Sequence, residues 1–504
     1  MFNLSLPEAL EHSVSANVIP IFQTLFTTTE TPLSVYEKLA ARRSGTFLLE
    51  SAEQGVWARY SFIGVKNRGE LRWMTGPVVW QSSDGSNALP DGSALPNTPL
   101  EALNALQSAW KSPVIDDLPP LTSGLVGLIG WNMVREIENL PHKPAADYDS
   151  PNLAFAMFRD LVIFDHLKGN LLLVSNIFTP DHVDFESGYN QALERIAQIR
   201  HDLLSTRPGI LGVLDMDADR AVKYRSSKAD FFASVDRAKH YVRIGDVFQV
   251  VLSQRFDIES TANSLDTYSV LRALNPSPYM YLLNFEDSNG PYAVVGSSPE
   301  SLVKVNQRHA VTHPIAGSRP RGNTPDEDLE LSSGLVADPK ERAEHLMLVD
   351  LARNDLLKVC EPDSVTVTEF MQIHRYSHVM HLVSTVEGDL RHDQSPVDAF
   401  RATFPAGTLS GAPKPRALEI IDELEPTDRG IYGGVVGYFD FAGNADLAIS
   451  IRTAFIRDGV ARVQAGAGLV LDSVPELEFD ETVNKASAPA RAVAIANSLR
   501  KILD

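Results

Sequence analysis

One cysteine, Cys360, stands among 504 residues, so the chain can form no internal disulfide. That fits a reducing compartment, and the setting LLKVCEP reads as a packed thiol. Positive charge is also scarce. Lys and Arg total 45 against 65 Asp and Glu, and 45 − 65 gives a formal net charge of −20. Such an acidic surface argues against nucleic acid or an anionic membrane as partner, but leaves room for a small anion held by a local cluster. No apolar run approaches the roughly 18 residues that a membrane helix needs. The opening MFNLSLPEALEHS has no basic region followed by an apolar run, so no secretory leader is expected and a cytoplasmic protein is. Solenoid repeats and sustained heptads are missing too.

What is present is enough apolar material, 44% of residues, for a large core or two smaller ones. The segment 205–227, rich in Pro, Gly, Asp and Ser, reads as a connection between domains 1–204 and 228–504. Before it, GTFLLES, WARYSFIGV, LRWMTGPVVW, LVIFDH and NLLLVSN read as strands, with helices at Leu33–Arg42 and Leu100–Trp110. After it, Lys228–Arg243 has helical spacing, and VFQVVLSQRF, YMYLLNF, YAVVGSS and SLVKVN read as strands. Short successive strands suggest antiparallel pairing. The expected class is α/β of the α+β type, with large, mostly antiparallel sheets and surrounding helices.

Two helix starts carry the chemistry. In ADPKERAEHLMLVDLARND, Asp338 suits the N-cap and Pro339 the first turn. Glu341 and Glu344 then share a helix face. In DSVPELEFDETVNKA, Ser473 with Glu476 matches a capping box, and Glu478 and Glu481 share a face. Pro489 should end or kink this helix near Ala488. Either helix alone reads most simply as a solvated acidic face. Brought together, four carboxylates repel unless a cation or proton intervenes, and oxygen ligands without Cys or His suit Mg²⁺ better than Zn²⁺.

Anion-binding elements accompany them. PAGTLSGAPKPRALEII leads from small residues, with the hydroxyls of Thr408 and Ser410, into a helix from about Pro413. VQAGAGLVLDS puts Gly466 and Gly468 at a strand end. Arg452, in AISIRTAFI, reads as lying in a strand of apolar neighbours, where a charge needs either an internal acid or a substrate carboxylate. Lys485 lies one turn from Glu481 and pairs with it or balances a second carboxylate in a site. His381 reads as a core histidine unless the acidic helices converge on it; there it would be a proton donor near neutral pH.

Together these segments resemble the chorismate-utilising enzyme family, and within it the anthranilate synthase large subunits. GDVFQVVLSQR, NPSPYMYLL, VGSSPE, PIAGSRPRG, EHLMLVDLARND, HLVSTVEG, FPAGTLSGAPK, GIYGGVVGYF, ISIRTA, GAGLVLDS and ETVNKA follow in the family's order across Gly245–Ala486. LLES and RYSFIG resemble its regulatory region. The resemblance implies two interlocked domains and a Mg²⁺-dependent lyase. The enzyme would turn chorismate and ammonia into anthranilate and pyruvate through aminodeoxyisochorismate, the first committed step toward tryptophan. By position, Glu344 and Glu481 would bind Mg²⁺, with Glu341 and Glu478 holding its water shell. His381, Thr408, Glu341 and Lys485 would serve catalysis, and Gln249, Tyr432, Arg452, Gly466, Ala467 and Gly468 would line the chorismate pocket. Arg452 would hold the pyruvyl carboxylate, with the glycine N–H groups assisting.

Two positions separate sister activities. Isochorismate synthases carry a water-activating Lys where this chain has Gln249, and aminodeoxychorismate synthases often carry a nucleophilic Lys where it has Ala316. Those two activities are the alternatives, and a catalytically dead chorismate or tryptophan sensor is the non-enzyme one. Cys360 has no glycine-flanked nucleophile setting. The resemblance therefore implies a separate glutamine amidotransferase subunit in a hetero-oligomer. It also implies tryptophan feedback at Glu50, Ser51, Asn275, Pro276, Ser277, Met280 and Tyr438.

Overall fold

A computed structural model describes residues 2–41, 43–51, 59–115, 118–205, 211–218, 221–375 and 379–502. Among them, antiparallel hydrogen bonding links 21 strands into one branched sheet system. The branch lies at the long strand Leu153–Asp165. One edge pairs with Tyr60–Trp73, while the other pairs first with Gly124–Ile129 and then with Asn170–Phe178. From this point two sheet halves diverge.

Side-chain alternation shows how the halves stack. Phe47, Tyr281, Leu283, Phe285, Val294, Val436 and Tyr438 pack together. Their chain neighbours Leu48, Met280, Leu282 and Val295 pack instead with the helices Pro32–Leu39, Phe185–Leu203 and Ser264–Leu274. Val435 and Phe439 pack with Pro99–Ala109, Pro396–Thr403 and Lys414–Leu424. Successive strand residues point to opposite faces, so the first cluster lies between two sheets and the other two lie under the outer helices. The fold is a mixed α/β sandwich layered helix, sheet, sheet, helix.

The halves of the chain interlock through strand pairing. Thr46–Glu50 pairs with Tyr279–Asp287, and Gly124–Ile129 pairs with Val435–Asp440. In the connecting segment, Gly212–Val213 pairs with Arg500–Lys501, and Val222–Tyr224 pairs with Phe256–Ile258. The expected helix Lys228–Arg243 forms with those bounds, capped by Ser227. Cys360 is buried and free, and burial pushes its thiol up to about 11. Among the described residues, no helix is long and apolar enough to cross a membrane.

The second acidic helix departs from expectation at its start, and it continues past Pro489. It runs Pro475–Asn497 with Val474, not Ser473, as N-cap. Ser473 is committed elsewhere, since its Oγ accepts the Val470 N–H at 3.1 Å. Pro489 lies inside the helix and does not end it. A mid-helix proline costs about 3 kcal/mol. Beyond it, Val493, Ile495 and their alanine neighbours are buried against the sheets. Full burial of one such aliphatic side chain contributes about 1.5–3 kcal/mol, so two of them offset the proline.

Candidate active site

The first acidic helix, Pro339–Leu357, starts as its sequence dictates. Asp338 Oδ1 accepts the N–H groups of Lys340 at 2.9 Å and Glu341 at 3.3 Å. Arg319 braces this turn, reaching Asp338 at 3.1 Å and Glu341 at 3.3 Å. Glu344 follows one turn on. Its carboxyl is held above the ordinary range by burial and by the negative charges of Glu341 and Glu481, eased by Lys340 and a hydrogen bond from Gln249. Glu478 is likewise raised by burial and by Glu481, and eased by Ser473, Lys340 and Lys485. Lys340 acts on carboxylates of both helices, and Glu344 senses Glu481, so the two acidic faces converge.

Between them lies the strand Gln249–Glu259, paired with Val460–Leu469 so that Val251, Leu252 and Ser253 face Gly468, Ala467 and Gly466. A Cβ at Gly468 would collide with the Gln249 amide. A Cβ at Gly466 would lie 2.8 Å from the Tyr432 hydroxyl and 2.9 Å from the Leu252 carbonyl, so the floor admits only glycine there. The Gly466 N–H donates to the buried Tyr432 hydroxyl, and the Gly466 carbonyl accepts from Lys485 Nζ at 3.1 Å. Lys485 also pairs with Glu481 at 2.6 Å, which joins both readings of that residue. Gln249 is 4% exposed, yet its Oε1 has no hydrogen-bond partner among the described residues. A buried acceptor left open is uncommon and suits an incoming N–H donor.

Two further groups stand close by. His381 Nδ1 lies 3.0 Å from the Gly317 carbonyl. A carbonyl only accepts, so Nδ1 carries the ring hydrogen and Nε2 is the basic nitrogen. Burial lowers the His381 pKa, and the charge of Arg452 lowers it further. Gly317 joins His381 to the first helix, because a Cβ there would sit 2.8 Å from Glu341 Oε2. Arg452 does not lie within a strand, as its apolar neighbours suggested. It occupies the link between Ala445–Ile449 and Thr453–Arg457, with φ of 52°. A non-glycine residue in that region is strained and is usually held for a reason. Burial lowers its pKa, and no carboxylate among the described residues offsets this.

The sequence reading missed Glu300. It accepts from Thr408 Oγ1 at 3.0 Å, and burial pushes its carboxyl up to about 7, against the pull of Thr408 and Lys485. Ser-Pro-Glu after a strand reads as an ordinary turn, so nothing local marked it.

Against known proteins, a family model described as chorismate binding enzyme matches residues 58–491. The chain belongs to the chorismate-binding enzyme family. It is 47% identical over 504 residues to an anthranilate synthase component 1 of Arthrobacter globiformis, covering 99% of this chain and 94% of that one. A protein of the same name from Aquifex aeolicus is 44% identical, with 98% of each chain covered. The crystal structure of anthranilate synthase component I from Streptococcus pneumoniae TIGR4 superposes with a TM-score of 0.75 at 33% identity, over 92% of this chain and 99% of that one. The isochorismate synthase MenF of Escherichia coli, 20% identical with a TM-score of 0.65, shares the fold.

The family implies a Mg²⁺ ion. Among the described residues, no three His, Cys, Asp or Glu side chains form a ready-made metal cage. Mg²⁺ needs less, because it keeps several waters and takes one or two carboxylates plus substrate oxygens. The crowding of Glu344 by Glu341 and Glu481 is the electrostatic signature of a site that favours a cation. The residues therefore fit the ion.

Of the expected regulatory residues, four line one cavity and the other three lead into its wall at Pro278. Glu50, Ser51, Met280 and Tyr438 line a 580 Å³ cavity between the sheets. Asn275, Pro276 and Ser277 are not among its walls, and Asn275 Nδ2 donates to Ser297 at 2.9 Å. Glu50 is already engaged, by Tyr268 at 2.6 Å and Arg272 at 3.2 Å.

Proposed function

We propose that the chain is the large subunit of a two-component, Mg²⁺-dependent anthranilate synthase, a lyase that converts chorismate and ammonia into anthranilate and pyruvate. The observation that carries this reading is the convergence of two acidic helix faces beside the uncompensated charge of Arg452. Full-length identity to proteins of that name narrows the choice within the family.

Arg452 binds the pyruvyl carboxylate, and Tyr432, Gly466, Ala467 and Gly468 shape the floor beneath the ring. Gln249 Oε1 accepts from ammonia and orients its lone pair. Glu344 and Glu481 would hold Mg²⁺, with Glu341 and Glu478 holding its water shell; when bound, the ion stabilises charge growing on the ring carboxylate. Lys485 and Thr408 orient Glu481 and Glu300.

The pKa directions divide the two proton transfers. The sequence reading gave His381 the role of donor, but burial and Arg452 favour its neutral form, which is a base. Glu300, at about 7, holds a proton near neutral pH and is the better acid. In the first step, ammonia adds beside the carboxyl-bearing carbon, the double bonds shift, and the distant C–O bond breaks. Glu300 gives its proton to the leaving hydroxyl, which departs as water, and the ammonium nitrogen formed on the ring releases one proton to solvent. In the second step, His381 takes the proton from the amine-bearing carbon. The C–O bond to enolpyruvate breaks, oxygen leaves with the electron pair, and the ring becomes aromatic. The enolate then picks up a proton from solvent and becomes pyruvate.

A separate glutamine amidotransferase subunit would supply the ammonia in a cytoplasmic hetero-oligomer. Residues 1–204 would carry tryptophan feedback, with the ligand in the inter-sheet cavity near Glu50, Ser51, Met280 and Tyr438. Anthranilate fluorescence from this chain alone, with chorismate, ammonium salt and Mg²⁺, tests the activity; a product that is isochorismate or aminodeoxychorismate instead ends the assignment. Calorimetry with tryptophan, with and without chorismate, tests the regulation, and the absence of mutual weakening rules it out.

A further inference from the structure

Two cavities share one wall. The smaller, 50 Å³, is lined by Glu300 and Thr408 of the chorismate site and also by His313. The larger, 580 Å³, lies between the sheets, and His313 lines it as well. A hydrogen-bonded chain leads from this histidine toward solvent. His313 Nδ1 lies 3.2 Å from Thr385 Oγ1, and Thr385 Oγ1 donates to Glu369 Oε2 at 2.9 Å. The Glu369 side chain is 51% exposed, so it meets bulk water.

We propose that Glu369, Thr385 and His313 form a proton line that reloads Glu300 between turnovers, with water in the small cavity as the last carrier. The proposal rests on the assignment of Glu300 as the acid of the first step. That step leaves Glu300 ionised while substrate fills the front of the site, so a second route to solvent has a use.

The space suffices. About 10–15 Å³ of such volume holds one water, so a 50 Å³ cavity takes a few, with Glu300, Thr312, Thr408 and His313 as polar partners. Asp355 also lines it but is no carrier, because its two oxygens are taken by Lys414 at 2.6 Å and Lys358 at 3.0 Å. The groups facing His313 are Glu369, His374, Lys304 and Asp446, and burial is the largest influence, lowering its pKa. A neutral imidazole accepts at one nitrogen while it donates from the other, so it passes protons without storing charge. Lys304 is paired with Asp446 at 3.2 Å and does not interrupt the chain.

The transfer balances. Glu369 takes a proton from solvent and gives it to the Thr385 oxygen, while the proton of Thr385 passes to His313 Nδ1. His313 releases its Nε2 proton to water, and that water protonates Glu300. This leaves the Nδ1–H tautomer, which suits donation to a Thr385 oxygen whose own proton points at Glu369; a turn of the ring that exchanges which nitrogen faces the cavity, with rotation of the Thr385 hydroxyl, resets the line without moving a proton back. The proton consumed equals the one the added nitrogen releases, and the one His381 later returns to solvent equals the one the enolate takes up.

Thr385→Val removes the hydroxyl and keeps the shape, while Thr385→Ser keeps the hydroxyl. In the ammonium-dependent assay, T385V and His313→Gln should each lower kcat roughly tenfold, less than the 10²–10⁴-fold of direct acid catalysis, with KM for chorismate unchanged. Their deficit should widen above pH 7, their solvent deuterium isotope effect on kcat should rise, and T385S should match the parent. Parent-like kcat and pH profile in T385V and H313Q overturn the line. Equal loss in T385V and T385S, without a change in pH profile, also overturns it and assigns a packing role. A failure of the underlying reading looks different: Glu300→Gln would then keep full activity, or the parent chain would make no anthranilate.

Discussion

Replacing Glu300 by Gln removes a titrating proton while keeping size and the acceptor for Thr408 Oγ1, now 3.0 Å away. The carboxyl stands at about 7 against an ordinary 4.5, which disfavours its ionised form by roughly 3 kcal/mol. In the anthranilate assay, E300Q should lose about 10²–10⁴-fold in kcat, the usual contribution of a general acid, with KM for chorismate nearly unchanged. The acid must be protonated to act, so parent activity should fall as pH rises through about 7, and E300Q should lack that limb. Stability gives an independent reading. A carboxyl raised in the folded state carries no penalty below its unfolded value near 4.5; the folded protein then loses stability as pH rises through about 7. E300Q should match the parent in urea denaturation at pH 4.5 and exceed it by roughly 3 kcal/mol at pH 8. Parent-like kcat with an intact limb in E300Q, or a stability difference independent of pH, would refute the reasoning.

Other substitutions separate the remaining roles. His381→Ala should let aminodeoxyisochorismate accumulate, seen by chromatography of quenched reactions, since it removes the base of the second step; equal loss of both products would place His381 elsewhere. Arg452→Gln should raise KM for chorismate by about 10²-fold, because a charge-assisted contact to a carboxylate contributes about 1.5–3 kcal/mol. Pro489→Ala should stabilise the protein by up to about 3 kcal/mol, restoring an N–H in the second acidic helix; a destabilised variant would mean the local bend is required.

The sequence made some of this plain and hid the rest for physical reasons. Asp338, Pro339 and the Glu341–Glu344 spacing are local signals, and the helix formed on them. Ser473 carried the same local signal, but a loop N–H claimed its hydroxyl. Pro489 obeys a local rule that long-range packing overrides. The pairing of Thr46–Glu50 with Tyr279–Asp287 joins residues far apart in the chain and leaves no periodic trace. Glu300 is special only because distant Thr408 and Lys485 surround it, and Arg452 only because a turn with positive φ presents it. Convergence of the acidic pairs was legible only through the family's motif order, never from either helix alone.

The most direct measurement is calorimetric titration of Mg²⁺ into the parent chain, Glu344→Gln and Glu481→Gln, each with and without chorismate and with ammonia omitted. Carboxylates that converge on one ion predict weak binding alone, much tighter binding with chorismate, and loss of that enhancement in both variants. Mg²⁺ binding that is indifferent to chorismate, or unchanged in either variant, would contradict it.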